Sequence, residues 1–313
     1  MPGIVPMFGA NDTDAIFDDA RSEPSMLLKS INYWSLPGGL DGTLPVETFL
    51  ETAARFNYDA VELCIGEEGA LGLNTGRARC EEILALAEQA GVKVASVASG
   101  IYWSYALASE APADRKRAVE ALQQMARITS WLKAGTLLTI PGAVDVFFLP
   151  GGPVISYHDV YERSVAGLKQ ALPVAEEVGV TLAIENVWNK FLLSPLEMAR
   201  FIDDLDSPSI GAYVDVANIL PYGHPEQWLR ILGKRVAGIH FKDFRRAVGT
   251  AEGFVDLLEG DVNWPEVMKA IAEIGYEGPV VAEMIPLYRH YPEVRVANTS
   301  RAMDAILGIG RDT

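Results

Sequence analysis

The sequence predicts a single (β/α)8 TIM barrel preceded by a short N-terminal extension, and three observations carry that expectation. Strand-like and helix-like stretches alternate eight times from Met26 onward, the order that packs helices around a parallel sheet. Four successive apolar runs then end on side chains able to ligate a cation or move a proton: Glu185, Asp215, His240 and Glu283. A closed barrel brings all its strand tips to one mouth, which suits such a series. The competing architecture, a doubly wound open sheet, places its site at a switch point between strands. Gly9, Gly38-Gly39 and Gly151-Gly152 match no phosphate-cradle spacing, so a dinucleotide fingerprint is absent.

Residues 1–25 are acidic and mixed, without the basic start and continuous apolar stretch of a secretory signal, and read as an uncleaved extension of a cytoplasmic protein. The barrel is expected over 26–313. Its first strand is read at Met26 to Ile31 and its first helix at Pro45 to Phe56. The second strand is Ala60-Val61-Glu62-Leu63, and the helix from Arg77 to Ala90 closes at Gly91. A third strand follows from Val92 to Val97. Val119, Leu122, Ile128 and Leu132 recur at helical spacing between Asp114 and Lys133, and Gly135 stops that helix. The fourth strand, Thr136 to Ile140, breaks at Pro141-Gly142.

A long connection rich in chain breakers then runs through Phe147, Phe148 and Pro150-Gly151-Gly152-Pro153, as an active-site loop does. The helix from about His158 to Val178 ends at Gly179. The four tipped strands follow, Thr181 to Glu185, Ile210 to Asp215, Val236 to His240 and Pro279 to Glu283, each too short for a helix. Helices are expected from Pro195 to Leu205, Pro225 to Leu232, Trp264 to Ile274 and Pro292 to Leu307.

Bulk composition narrows the function. The 313 residues are 49% hydrophobic, enough for a sizeable core, yet no apolar run reaches the roughly 18 residues of a membrane span. A formal net charge of -16 argues against nucleic-acid partners, which leave a basic footprint. Two cysteines, Cys64 and Cys80, form no disulfide framework and fit a reducing compartment.

Three carboxylates crowded at one mouth repel one another unless a cation neutralises them. The expected shell is Glu185, Asp215, His240 and Glu283: three oxygen donors and one imidazole. Hard oxygens with a single nitrogen favour Mn2+, with Mg2+, Co2+, Fe2+ or Zn2+ as alternatives. Such an ion polarises a sugar carbonyl and stabilises an enediolate, with Glu185 and Glu283 as the acid/base pair. Proton return to the opposite face epimerises; return to the neighbouring carbon isomerises. Glu62, read at the tip of the second strand, Trp188, Asn218 and Lys242 are the candidate substrate-binding residues. Each has a structural alternative: an ion pair for Glu62 and Lys242, loop packing for Trp188, a helix cap for Asn218. Arg245-Arg246, beyond the seventh strand, reads as a solvated pair, with phosphate or carboxylate binding as its alternative, and the lack of a phosphate cradle favours an unphosphorylated sugar or glycoside.

Ile184-Glu185-Asn186, Val214-Asp215-Val216-Ala217-Asn218, Ile239-His240-Phe241-Lys242-Asp243 and Val281-Ala282-Glu283 resemble the xylose isomerase-like superfamily of sugar isomerases and epimerases. The likeness is nearest to its ketose 3-epimerase and 3-keto-sugar epimerase branches. It covers about Met26 to Leu307 and is strongest from Val180 to Glu283. It implies one divalent metal held by the matching Glu, Asp, His and Glu, with the two Glu exchanging the proton, and a homo-oligomer, dimer or tetramer. Asn218 stands where the ketohexose 3-epimerases usually carry a histidine, three residues after the metal Asp. The leading expectation is therefore a metal-dependent epimerase or isomerase acting on a ketose or keto-glycoside. The alternatives are a lyase of the same superfamily, an inosose-type dehydratase or a 3-keto-glycoside cleaving subunit, and a sugar-binding or metal-sensing barrel without catalysis.

Overall fold

The computed structural model describes residues 27–148 and 151–309; the N-terminal extension expected at 1–25 lies outside them. Eight parallel strands close into a barrel, in the order β1-β10-β7-β6-β5-β4-β3-β2. They are β1 (Leu28–Asn32), β2 (Ala60–Ile65), β3 (Lys93–Ser99), β4 (Thr136–Thr139), β5 (Thr181–Glu185), β6 (Ile210–Asp215), β7 (Val236–Phe241) and β10 (Pro279–Ala282). The helices α1 (Val46–Arg55), α2 (Arg77–Ala90), α3 (Pro112–Trp131), α4 (Tyr157–Val178), α5 (Pro195–Asp203), α6 (Pro225–Leu232), α7 (Trp264–Glu273) and α8 (Pro292–Leu307) alternate with them. This is the (β/α)8 barrel that the alternation predicts.

Local chemistry sets the helix ends. Ser156, Ser194 and Asn263 accept hydrogen bonds from the amides of Asp159, Glu197 and Glu266, capping α4, α5 and α7. Proline occupies the first turn of α3, α5, α6, α7 and α8, where its missing N–H costs nothing. Gly179 closes α4 at φ 70, a left-handed conformation that side chains with a Cβ resist. Each helix lays an apolar stripe on the sheet; that of α1 is Val46, Phe49, Leu50 and Ala53. Full burial of each large aliphatic or aromatic side chain contributes about 1.5–3 kcal/mol. No helix among the described residues is long and apolar enough to cross a membrane.

Two departures from expectation bear on the site. The second strand runs to Ile65, two residues past Leu63, because the apolar run continues through Cys64 and Ile65 until Gly66 stops it. A small antiparallel pair, β8 (Asp243–Phe244) with β9 (Phe254–Val255), follows β7 and was not expected. Strands of two residues carry no periodicity to read.

Candidate active site

The four tipped strands deliver their side chains to one place. Glu185 and Asp215 end β5 and β6, His240 is the penultimate residue of β7, and Glu283 directly follows β10. One ligand atom from each lies within 4.8 Å of the others. Registry explains the convergence: Glu185 pairs with Tyr213, Asp215 with His240, and Val281 with His240.

Backbone amides hold Asp215. Its Oδ1 accepts from Ala217 N and Asn218 N, both at 2.9 Å, turning the chain after β6. Its Oδ2 is buried and has no hydrogen-bond partner among the described residues, although Lys242 Nζ stands 3.3 Å away. A buried carboxylate oxygen is costly without a cation beside it, and the Lys242 ammonium that faces this one is shared with Glu283. His240 Nδ1 faces the same space, 3.2 Å from Glu185 Oε1 and 3.9 Å from Glu283 Oε2. Three carboxylates and one imidazole nitrogen turned to a shared point, with one oxygen unsatisfied, fit a divalent cation with hard-oxygen preference.

The electrostatics show how crowded the cluster is without one. Burial, opposed by His240 and aided by Glu283 and Asp215, pushes Glu185 up to about 7. Burial also acts to raise Glu283, but Lys242, which forms a short ion pair with it, and His240 hold it below the usual carboxylate range. Burial alone would depress His240; Glu62 and Glu283 outweigh it and raise the imidazole well above its ordinary value.

Residues 50–303 match the family described as the xylose isomerase-like TIM barrel. The chain belongs to that family. Among curated relatives, the putative L-ribulose-5-phosphate 3-epimerase SgbU of Escherichia coli (strain K12) is 26% identical over 264 residues, covering 82% of this chain and 89% of that protein. A solved structure of L-ribulose 3-epimerase superposes with a TM-score of 0.72 at 18% identity, covering 90% of this chain and 94% of the other. The IolI protein with a bound zinc atom gives a TM-score of 0.72 at 14% identity, covering 92% and 100%. At such identities the solved structures establish the fold alone.

In this xylose isomerase-like barrel the four candidate substrate-binding residues take different places. Glu62 is a correction: it does not sit at a strand tip but in the middle of β2, with 0% of its surface exposed. The carboxylate is turned to protein groups. Its oxygens accept from Asn32, Ser96 and Tyr213 and face His240 Nε2. Lys242 lies in the mouth between Asp215 and Glu283, 5.0 Å over the Phe254 ring. Trp188 is half-buried against Phe147, Phe244 and Phe254, and donates its indole N–H to Asn218 O. Asn218 caps no helix; it donates Nδ2 to Asn186 O, joining the loops after β5 and β6. Tyr102 and Phe191 are buried in loop packing, and Arg245 pairs with Glu259.

Sequence reasoning missed Asn32, Ser96, Tyr213 and the side-chain role of Asn186. Single polar residues inside strands give no spacing to read. The family fold makes them neighbours only by closing the barrel.

Proposed function

We propose that this family member is a divalent-metal-dependent sugar epimerase that acts by proton transfer on a ketose or keto-glycoside. The convergence of Glu185, Asp215, His240 and Glu283 on a space less than 5 Å across carries the reading, and the epimerase relative lends it support. Those four residues would hold the ion, with Mn2+ the best match to three oxygens and one nitrogen and Mg2+, Co2+, Fe2+ or Zn2+ as alternatives. When bound, the cation supplies a Lewis acid that polarises a carbonyl and offsets the charge left by a departing proton.

The protein's own groups do the rest. Glu185 and Glu283 stand on opposite sides of β6 and β7 in the barrel order and address a substrate carbon from two faces. One removes the proton and the other returns it, so the configuration inverts. The Lys242 ammonium offers a hydrogen bond to a sugar oxygen that gains charge. Trp188 and Phe254, both half-buried and backed by the buried Phe244 ring, form an aromatic wall suited to the apolar face of a sugar ring or chain.

The chain carries no phosphate-cradle spacing and Arg245 is turned to Glu259, so we read the substrate as unphosphorylated, unlike that in the name of the SgbU relative. We place the enzyme in the cytoplasm as a dimer or tetramer, on the strength of the family resemblance and two unbridged cysteines.

The reading is tested by incubating ketoses and 3-keto-glycosides with Mn2+-loaded protein in D2O and following them by NMR. At least one substrate gains deuterium at the carbon next to its carbonyl and the epimer at that carbon appears, C3 for a 2-ketose and C2 or C4 for a 3-keto-glycoside; loss of water or aglycone instead marks the lyase. Tight sugar binding without deuterium uptake would mark a binding protein and end the epimerase reading.

A further inference from the structure

Beneath the proposed metal ligands lies a second set of buried polar residues that the fold has been bent to assemble. Glu62 Oε1 accepts from Asn32 Nδ2 at 2.7 Å and faces His240 Nε2 at 2.8 Å. Its Oε2 accepts from Ser96 Oγ at 2.7 Å and Tyr213 OH at 2.6 Å. Asn32, Glu62 and Ser96 are cross-strand neighbours on β1, β2 and β3. Tyr213 and His240 come from β6 and β7, so the carboxylate bridges the barrel interior.

The strand register is broken at two points among the barrel pairs described, and both fall here. Between β2 and β3 the shift lies between Val61 and Glu62; between β6 and β7 it lies between Ala212 and Tyr213. Bulges of this kind re-aim side chains next to active sites. The second one sets Tyr213 opposite Gly238, where a Cβ would stand 2.5 Å from the tyrosine ring. Gly238 thus makes room for the ring that reaches Glu62 and packs 4.5 Å, centroid to centroid, from His240.

We infer that Glu62 is a positioning residue for the metal histidine: it captures the Nε2 proton of His240 and so presents Nδ1 to Glu185, Asp215 and Glu283. The chemistry follows from what a carboxylate is able to do. A carboxylate at 2.8 Å holds a hydrogen on Nε2, so once a cation takes the place of the hydrogen on Nδ1, which faces Glu185 and Glu283, Nε2 is the nitrogen that keeps its own. Three neutral donors, Asn32 Nδ2, Ser96 Oγ and Tyr213 OH, occupy the other acceptor positions of Glu62 and fix the carboxylate in place against Nε2. A ligating imidazole whose other N–H is fixed in this way is held in one tautomer and one orientation, and its basicity rises. The inference rests on the metal site proposed above, and adds a residue that never touches ion or substrate.

The test uses the full-length protein loaded with Co2+. Binding is read by competition with a chromophoric chelator, and the ligand imidazole by proton NMR, where the paramagnetic ion displaces its ring N–H resonance. The other histidines, His158, His224 and His290, are exposed, so a displaced, slowly exchanging N–H belongs to His240. Wild-type protein should show that resonance, and Glu62→Gln should lose or shift it and bind Co2+ about 10–100-fold more weakly. Glu62→Asp should recover part of the affinity. Should Glu62→Gln not fold, Ser96→Ala carries the test: stripping one donor from Oε2 should move the resonance and weaken Co2+ by a few fold. A folded variant with unchanged resonance and affinity overturns the inference and leaves the metal site standing. A wild-type chain that binds no ion overturns both.

Discussion

Asn186 grips the backbone of Asp215 with both ends of its amide: Oδ1 accepts from Asp215 N at 2.9 Å, and Nδ2 donates to Asp215 O at 2.8 Å. One side chain at the end of β5 thereby fixes the last residue of β6. Asn186→Ala leaves a buried N–H and a buried C=O unpaired. Each such group costs about 1–3 kcal/mol, so we expect a loss of about 2–6 kcal/mol. Urea unfolding of the metal-free protein measures it. A change below about 0.5 kcal/mol would mean the loops rebuild without the amide.

Gly238 is expected to accept no larger residue. The methyl of Gly238→Ala meets Tyr213 Cε2 at 2.5 Å, and displacing a ring packed on His240 costs about 1–3 kcal/mol as overpacking does. The urea midpoint should fall. An unchanged midpoint in the variant would show that the ring moves freely.

Asp243 organises the loop that carries the aromatic wall. Its carboxylate accepts from the amides of Phe244, Leu258 and Val262 and from the Trp264 indole, at 2.9–3.2 Å. Asp243→Ala strands four donors, and we expect at least about 3 kcal/mol of lost stability. Thermal unfolding measures it, and tryptophan fluorescence reports whether Trp264 and Trp188 change surroundings. A wild-type melting temperature would contradict the role.

The sequence displayed much of this, and the limits are physical. Strands β5, β6 and β7 announce themselves because each is an apolar run stopped by a polar tip, and helices α5 to α8 because proline marks each first turn. Glu62 misleads because a carboxylate inside an apolar stretch resembles the end of one. The strand in fact continues through Cys64 and Ile65, which moves Glu62 down into the barrel. Asn32, Ser96 and Tyr213 lie far apart in the chain, and only barrel closure and two register shifts bring them to one carboxylate. No local pattern encodes a contact of that kind.

Both thiols should be silent in the native protein. Burial, with Glu62 and Glu283 nearby, raises Cys64 well above its ordinary value, and burial pushes Cys80 up to about 11. A raised pKa keeps the thiol protonated, and the thiol reacts far more slowly than the thiolate. At pH 8 Ellman's reagent should therefore detect no fast-reacting group before denaturation and two after it. A rapid native reaction would place one of them at an accessible surface.

The most direct measurement of the central claim is the binding of Mn2+ by wild-type protein and by Asp215→Asn, followed by electron paramagnetic resonance of the free ion. The substitution preserves shape and leaves Oδ1 able to accept from Ala217 and Asn218, but it sets an amide hydrogen donor where the unsatisfied Oδ2 now stands. We predict one Mn2+ per wild-type chain and at least a hundredfold weaker binding in the variant, about 2.7 kcal/mol or more. Equal binding by both, or none by the wild type, would contradict the claim that these side chains gather around a cation.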